Sequence, residues 1–363
     1  MRGATDKISM VIIILCLCAC STLHIRQPGR HTASAQGTIL SAFFEASRKD
    51  DVASVMRLVE ENKMDVNATD AYRWTGLMYA VQYGHEGLAE YFLMKKANVN
   101  QRDKDGATPL MIAVNERLPG LVDLLLASGA DPAAQDKHGY TALMWGIYNK
   151  SWESIPLLLA AGKGIDLQNG FGETALHLAL DYRIYDVATL LIKRKAAVAL
   201  KDQKGRTPLH LAAQQGDQTN AQLLIDRGAP LDDRDARGET PLMKSIQSRQ
   251  SSMAACLAAK PQDVHLANSQ GQTALHLAAA YDLPDIVVLL VQKKSPVNRK
   301  DNEGFTPVML AAKYGSDSMV AFLVEHRADI KLKNAAGKTA LDLARQRNQK
   351  KTIEYLERLD REE

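Results

Sequence analysis

Apolar residues fall into three regimes along the 363 positions. Residues 10–19 form one unbroken apolar run, preceded by Arg2 and Lys7. The run is about half the length a helix needs to cross a bilayer, so it predicts the apolar segment of a cleavable leader. Residues 20–37 hold Ser, Thr, Gly, Pro, Gln and His with no apolar period, which predicts a flexible tether. From residue 38 onward, apolar positions recur three or four apart, as in ILSAFFEASRKDDVASVMRLV and LVDLLLASGAD, and short polar turns separate the runs. That spacing predicts short amphipathic helices. None is long enough to bury its apolar face alone.

The turns carry a strict period. Thr75, Thr108, Thr141, Thr174, Thr207, Thr240, Thr273, Thr306 and Thr339 are each 33 residues apart. Two residues before them stand Gly106, Gly139, Gly172, Gly205, Gly238, Gly271, Gly304 and Gly337, and two residues after stand Leu77, Leu110, Leu143, Leu176, Leu209, Leu242 and Leu275. A further leucine keeps the same step, from Leu125 through Leu191 and Leu224 to Leu356, so no unit carries an insertion. Glycine supplies a positive φ for a tight turn. Threonine is an N-cap whose hydroxyl accepts an otherwise orphaned N–H, and Pro109, Pro208, Pro241 and Pro307 occupy the first helical position, where no N–H is needed. Gly129 and Gly228 close the second helix as C-cap glycines. Each unit is therefore a turn, a helix, a turn and a helix, and units must stack to bury a common core.

GRTPLHLAAQQGD at Gly205 to Asp217, GQTALHLAA at Gly271 to Ala279, GETALHLAL at Gly172 to Leu180 and GADPAAQD at Gly129 to Asp136 resemble the ankyrin repeat. The resemblance covers residues 38–363 and implies an all-α solenoid of about ten stacked helix–turn–helix units with hairpin loops. Residues 38–70 lack the Gly-x-Thr signature and are expected to be an N-terminal cap. Residues 71–334 make eight full repeats, and residues 335–363, ending RLDREE, make a C-terminal cap.

The N-terminus resembles a bacterial lipoprotein signal. Leu17-Cys18-Ala19-Cys20 offers a small residue before the cut and a thiol after it, so residues 1–19 are expected to be removed and Cys20 to be acylated, holding the chain on a membrane. Ser21 resembles the residue of lipoproteins sorted to the outer membrane, facing the periplasm or the surface. Ordinary cleavage near Ala33-Ser34-Ala35 and an uncleaved anchor are the alternatives.

Composition narrows the chemistry. Hydrophobic residues are 46% and charged residues 24%, and the net charge is +3, too small to point to nucleic acid. Cys16, Cys18 and Cys20 lie in the leader, which leaves Cys256, on the apolar MAACLAA helix, as an expected core thiol. His177, His210 and His276 recur in one slot that Met78, Met111, Met144, Met243 and Met309 fill elsewhere. They read as internal hydrogen-bonding residues, one per layer. Asp70, Asp103, Asp136, Asp202, Asp235 and Asp301, with Asn169, Asn268 and Asn334, read as turn formers, because a calcium cage needs clustered oxygens. No nucleophile with its base and no phosphate loop is present, so neither an enzyme, a cofactor, a metal nor a small-molecule substrate is expected.

Aromatic residues mark the expected binding surface. The resemblance implies a concave face built from hairpin tips and the exposed sides of the first helices. The residues mapped there are Tyr72, Trp74 and Tyr83 in repeat one, His138, Tyr140 and Tyr148 in repeat three, and Phe171 and Tyr182 in repeat four. Asn115, Glu116, Asn149, Glu173 and Asp181 lie nearby, later repeats carry Lys204, Arg206, Gln215, Arg237 and Gln247, and Tyr281, Phe305, Lys313 and Tyr314 form a smaller group. With Leu77, Leu110, Leu143 and Leu176 filling the deep slots, the rings are expected to face solvent as anchors for a partner protein. The chain is thus expected to be a monomeric, lipid-anchored scaffold of the cell envelope. The alternative is a secreted effector acting on host proteins.

Overall fold

The computed structural model describes residues 35–314 and 316–362. The expected leader, Cys20 and most of the tether lie outside the described residues. Twenty α-helices and no strand are present among those described, arranged as ten consecutive pairs. The first pair spans Ala35–Arg48 and Val52–Glu60, the last Ala340–Gln346 and Lys350–Glu362. The first helix therefore starts at Ala35, inside the segment read as tether. No described helix is long and apolar enough to cross a membrane.

Each unit is built as its local chemistry requires. Thr75, Thr141 and Thr240 sit in extended backbone, and their hydroxyls accept the N–H of Met78, Met144 and Met243 at 3.2–3.3 Å. Proline follows at the first helical position of the helices starting at Pro109, Pro208 and Pro241. The first helices are short and enclosed on both sides: Pro208 through Ala213 are all buried. They pack one on the next through the whole stack, and each also packs on its own second helix. The result is one continuous apolar core from Phe43 to Leu356.

Second helices that lead into a further repeat are closed by a left-handed residue except at Ser251–Ala259, where Lys260 is extended. Gly129 and Gly228 have φ of 88° and 80°, as expected, but Lys96, Lys195, Lys294 and Arg327 hold the same conformation without being glycine. The left-handed region costs a side-chain-bearing residue free energy, and basic side chains beside these turns recover part of it. Arg194 Nη1 donates to the carbonyl of Leu159 at 3.2 Å, and Arg227 Nη1 to that of Ile192 at 2.6 Å. Each cation thus caps the helix C-terminus of the preceding unit, where the helix dipole is negative.

The hairpins are joined in the same unit-to-unit manner. Asp or Asn before each tip accepts two backbone N–H groups; Asp202 Oδ1, for example, accepts from Lys204 at 2.9 Å and Arg206 at 2.8 Å. The nine-member Asp/Asn ladder is therefore a set of turn formers throughout, from Asp70 to Asn334. One backbone bond then links neighbouring tips, as from Gly170 N to His138 O at 2.7 Å. At Gly139 a Cβ would lie 2.9 Å from Gly170 N, so glycine is required there by close approach as well as by its φ of 80°.

Candidate protein-binding face

The residue just before each capping threonine and the exposed side of each first helix make one continuous face. The first of these slots carries Trp74, Ala107, Tyr140, Glu173, Arg206, Glu239, Gln272 and Phe305 in successive repeats. The frame behind it is constant, so this slot varies freely in chemistry.

Four of the expected aromatic residues are open to solvent: Tyr72, Tyr83, Phe171 and Tyr182 are 40–50% exposed. His138 and Tyr148 are half-buried. The other two are not surface rings. Tyr140 is only 8% exposed and belongs to the core. Trp74 is half-buried; its Nε1 donates to Asp103 Oδ2 at 3.2 Å, and its ring lies 5.2 Å from Tyr79, whose hydroxyl donates to Asp70 at 2.7 Å. The residue before the threonine turns inward between hairpin and helix, which is why a position at the hairpin did not guarantee exposure. Cys256 departs in the opposite sense: it is half-buried, not enclosed.

The rings gather into separate groups. In repeat one Tyr83 stacks on His85 at 6.0 Å, with the Arg48 guanidinium 6.0 Å from the Tyr83 ring. In repeats three and four Tyr148 meets Tyr182 edge-on at 5.8 Å. Of the smaller C-terminal group three members meet, with Lys313 Nζ 4.7 Å from the Phe305 ring and 5.5 Å from that of Tyr314, while Tyr281 lies 5.8 Å from the Arg249 guanidinium.

Charges fill the face beyond repeat three. Arg206 Nη2 lies 2.7 Å from Asp202 Oδ2 and 4.0 Å from both Glu173 and Asp181. Burial pushes the Glu173 carboxyl above its ordinary range, reinforced by Asp181 and Asp202 and opposed by Asn169 and Arg206. One repeat further, buried Lys244 contacts Asp235 at 2.7 Å and also Glu239, and Gln247 donates to Glu239 at 2.6 Å. Burial would raise Asp235, but hydrogen bonds from Lys244 and the Glu239 N–H outweigh it and hold the carboxyl below its usual value. Glu239 and Lys244 were missed in the sequence. Their signal was a charged residue at slots that hold Tyr140 and Trp145 in repeat three. Also missed were Trp145, whose Nε1 donates to Asp136 Oδ2 at 3.0 Å, and exposed Trp152.

The three histidines are internal. Each ring accepts at Nδ1 from its own capping threonine and donates at Nε2 to a carbonyl of the next repeat, Arg206, Glu239 or Phe305, at 3.0–3.2 Å. Among the described residues no group of three or more His, Cys, Asp and Glu is arranged to hold a metal ion.

Family models described as ankyrin repeats in three copies match residues 19–103, 43–136, 87–169, 143–235 and 220–301, and one described as ankyrin repeats in many copies matches residues 290–344. Comparison with curated proteins returns no match. No catalytic family is among the matches. The paired helices, threonine caps and linked hairpins agree with these matches over most of the sequence, and the chain belongs to the ankyrin-repeat family.

Proposed function

We propose that this chain is a scaffold tethered to the cell envelope through an acylated Cys20, and that it binds a partner protein on the face formed by its hairpins and first helices. Ankyrin repeats are protein-interaction modules. The observation that carries the choice of face is the set of solvent-open rings, Tyr72, Tyr83, Phe171 and Tyr182, all in repeats one to four. Exposed rings on a rigid frame give contact area at little cost in side-chain entropy. The tether reading rests on Leu17-Cys18-Ala19-Cys20 behind an apolar run too short to span a bilayer.

Two measurements test the two halves. A labelled fatty acid is incorporated by the wild type and not by Cys20→Ser; a wild type that takes up no label removes the anchor. Crosslinking on intact membranes captures a partner that the Tyr83→Ala/Tyr182→Ala variant loses while its melting curve is unchanged. Equal capture by that variant places the binding site elsewhere.

A further inference from the structure

The hairpin tips stand in one row. Phe171, Lys204, Arg237, Gln270 and Glu303 occupy the same tip position in repeats four to eight, and Asp105 occupies it in repeat two. Backbone bonds hold the row in line: Gln203 N donates to Phe171 O at 2.9 Å, and Ala236 N donates to Lys204 O at 2.8 Å. Neighbouring tips are therefore one layer of stacked helices apart, about 8–10 Å. The slot is acidic at Asp105 and Glu303 and neutral at Gln270, so the hairpin itself does not demand the cations of repeats five and six.

Around Lys204 and Arg237 the exposed charge has one sign. In residues 201–206 and 234–239 the exposed charged residues are Lys201, Lys204, Arg234 and Arg237, whereas Asp202, Asp235 and Glu239 are buried. Those acids already have partners beneath the tips. Asp202 takes both Nε and Nη2 of Arg206 at 2.7 Å, Lys244 serves Asp235 and Glu239, and Gln247 donates to Glu239 at 2.6 Å. Lys201 and Arg234 are spent within the stack, donating to the carbonyls of Arg234 at 3.4 Å and Ala267 at 2.7 Å. Lys204 and Arg237 remain at the tips. Arg237 keeps 70% of its side chain exposed despite a contact of 3.2 Å to Glu239. Next in the row is the ring of Phe171, 44% exposed.

We propose that Phe171, Lys204 and Arg237 dock an acidic segment of the partner protein, with an apolar side chain resting on the ring and one carboxylate at each cation. The proposal rests on the reading that this face binds protein, and it adds the chemistry and spacing of the docked segment. Carboxylates about 9–10 Å apart are supplied by every third residue of a polyproline II chain or every seventh of a helix, which matches the step between tips. A chain can follow a ring and two cations set in one row, whereas a flat anionic surface has no use for that order.

The test uses the full-length chain and a random dodecapeptide display library. Selected binders should share two acidic positions. In fluorescence anisotropy with the best binder, changing either acid to glutamine should weaken binding to the wild type about threefold or more, and changing both about tenfold. Lys204→Gln should cut the effect of one of these changes to about 1.5-fold or less, and Arg237→Gln should do so for the other. Both cations are exposed, so the two variants should melt as the wild type does. Phe171→Ala should weaken the same binder about fivefold or more. Binders without shared acids overturn the acidic dock and leave the scaffold reading standing, as do equal glutamine effects on wild type and variants or an unchanged affinity in Phe171→Ala. Binding to phosphatidylglycerol vesicles that Lys204→Gln/Arg237→Gln abolishes makes the pair a lipid contact and overturns the dock as well. Failure to select any binder overturns both readings.

Discussion

Mild acid should loosen this stack, through three imidazoles that hold adjacent repeats together. His177, His210 and His276 are at most 1% exposed. In each, Nδ1 lies 3.1–3.3 Å from the backbone N–H of Thr174, Thr207 or Thr273, so that nitrogen must accept. The proton is therefore on Nε2, which donates across the repeat boundary. A second proton would place a donor on Nδ1 facing the threonine N–H. Burial holds all three rings below the ordinary histidine value, against the opposing pull of the carbonyls they bond. The unfolded chain thus takes up protons first as pH falls. The contribution of these groups is fully present above the unfolded value of about 6.5 and is lost as pH drops toward the folded values. Each histidine gives a slope of about 1.4 kcal/mol per pH unit, so the three together give about 4 kcal/mol per unit within that window.

Urea unfolding followed by circular dichroism at pH 7.5, 6.5 and 5.5 reads this slope. The control is the variant His177→Met/His210→Met/His276→Met, since methionine already fills the slot at Met78, Met111, Met144, Met243 and Met309. It should be less stable at pH 7.5, by about 1–3 kcal/mol for each site whose buried partners are left unpaired. Below pH 6.5 it should be much flatter than the wild type. Exposed histidines are common to both proteins and cancel in the comparison. Asp103 and Glu173, both raised chiefly by burial, have the opposite sign, but they too are common to both proteins and cancel in the comparison. Equal slopes in the two proteins, or a wild type that gains stability on acidification, would refute the reasoning.

Two further outcomes follow from groups that the repeat pattern alone does not provide. Lys244→Met should cost about 3–5 kcal/mol in urea melts, because it leaves buried Asp235 without its cation and Glu239 with only the exposed Arg237; a loss below about 1 kcal/mol would mean that water replaces the ammonium. Arg73 occupies the hairpin glycine slot at φ 64°, so Arg73→Gly should raise stability by about 0.5–1 kcal/mol, relief of the left-handed strain exceeding the added freedom of the unfolded chain. A lower melting temperature in that variant would contradict it.

The frame was legible in the sequence because each of its devices is local or reaches only one neighbour. Threonine caps its own helix, Asp202 and its counterparts close their own hairpins, and glycine at the tip is demanded by the next hairpin one unit away. A period of 33 repeats these demands unchanged, so position in the period gives position in space. Exposure on the binding face was less legible. Tyr72 and Trp74 are two residues apart in one hairpin, yet one is open and the other bonds to Asp103 at the base of the next hairpin. Tyr140 sits in the Trp74 slot and is buried further still. The Trp74 side chain folds inward against Tyr79, a residue about a helix turn into the same repeat, at 5.2 Å between ring centroids. The charge network was half visible. Glu173, Asp181 and Arg206 stood out as polar residues on the face, but their juxtaposition depends on stacking two repeats.

This division between a uniform frame and a variable face has an energetic side. Leucine, phenylalanine or methionine in the slots of Tyr140, Glu173 and Lys244 would satisfy the stack at lower cost than a hydroxyl without a partner and carboxylates pushed up by burial. Repeats seven and eight keep that economy in the first-helix slot, where Leu277 and Leu310 are buried and apolar. Repeats four and five keep it too, with Leu178 and Leu211 buried, whereas repeats three and six do not: Trp145 is tied to Asp136, Lys244 is buried among acids, and in repeat three the Tyr140 hydroxyl also has no hydrogen-bond partner. Local departures from the cheapest packing on an otherwise consistent scaffold are expected where a protein is built to meet something other than itself. Here Tyr140 and Glu173 belong to two adjacent repeats, the second of which carries the open rings Phe171 and Tyr182. In repeats three and four the stability given up in the free stack therefore lies next to exposed aromatic area, the arrangement that the proposed binding face would require.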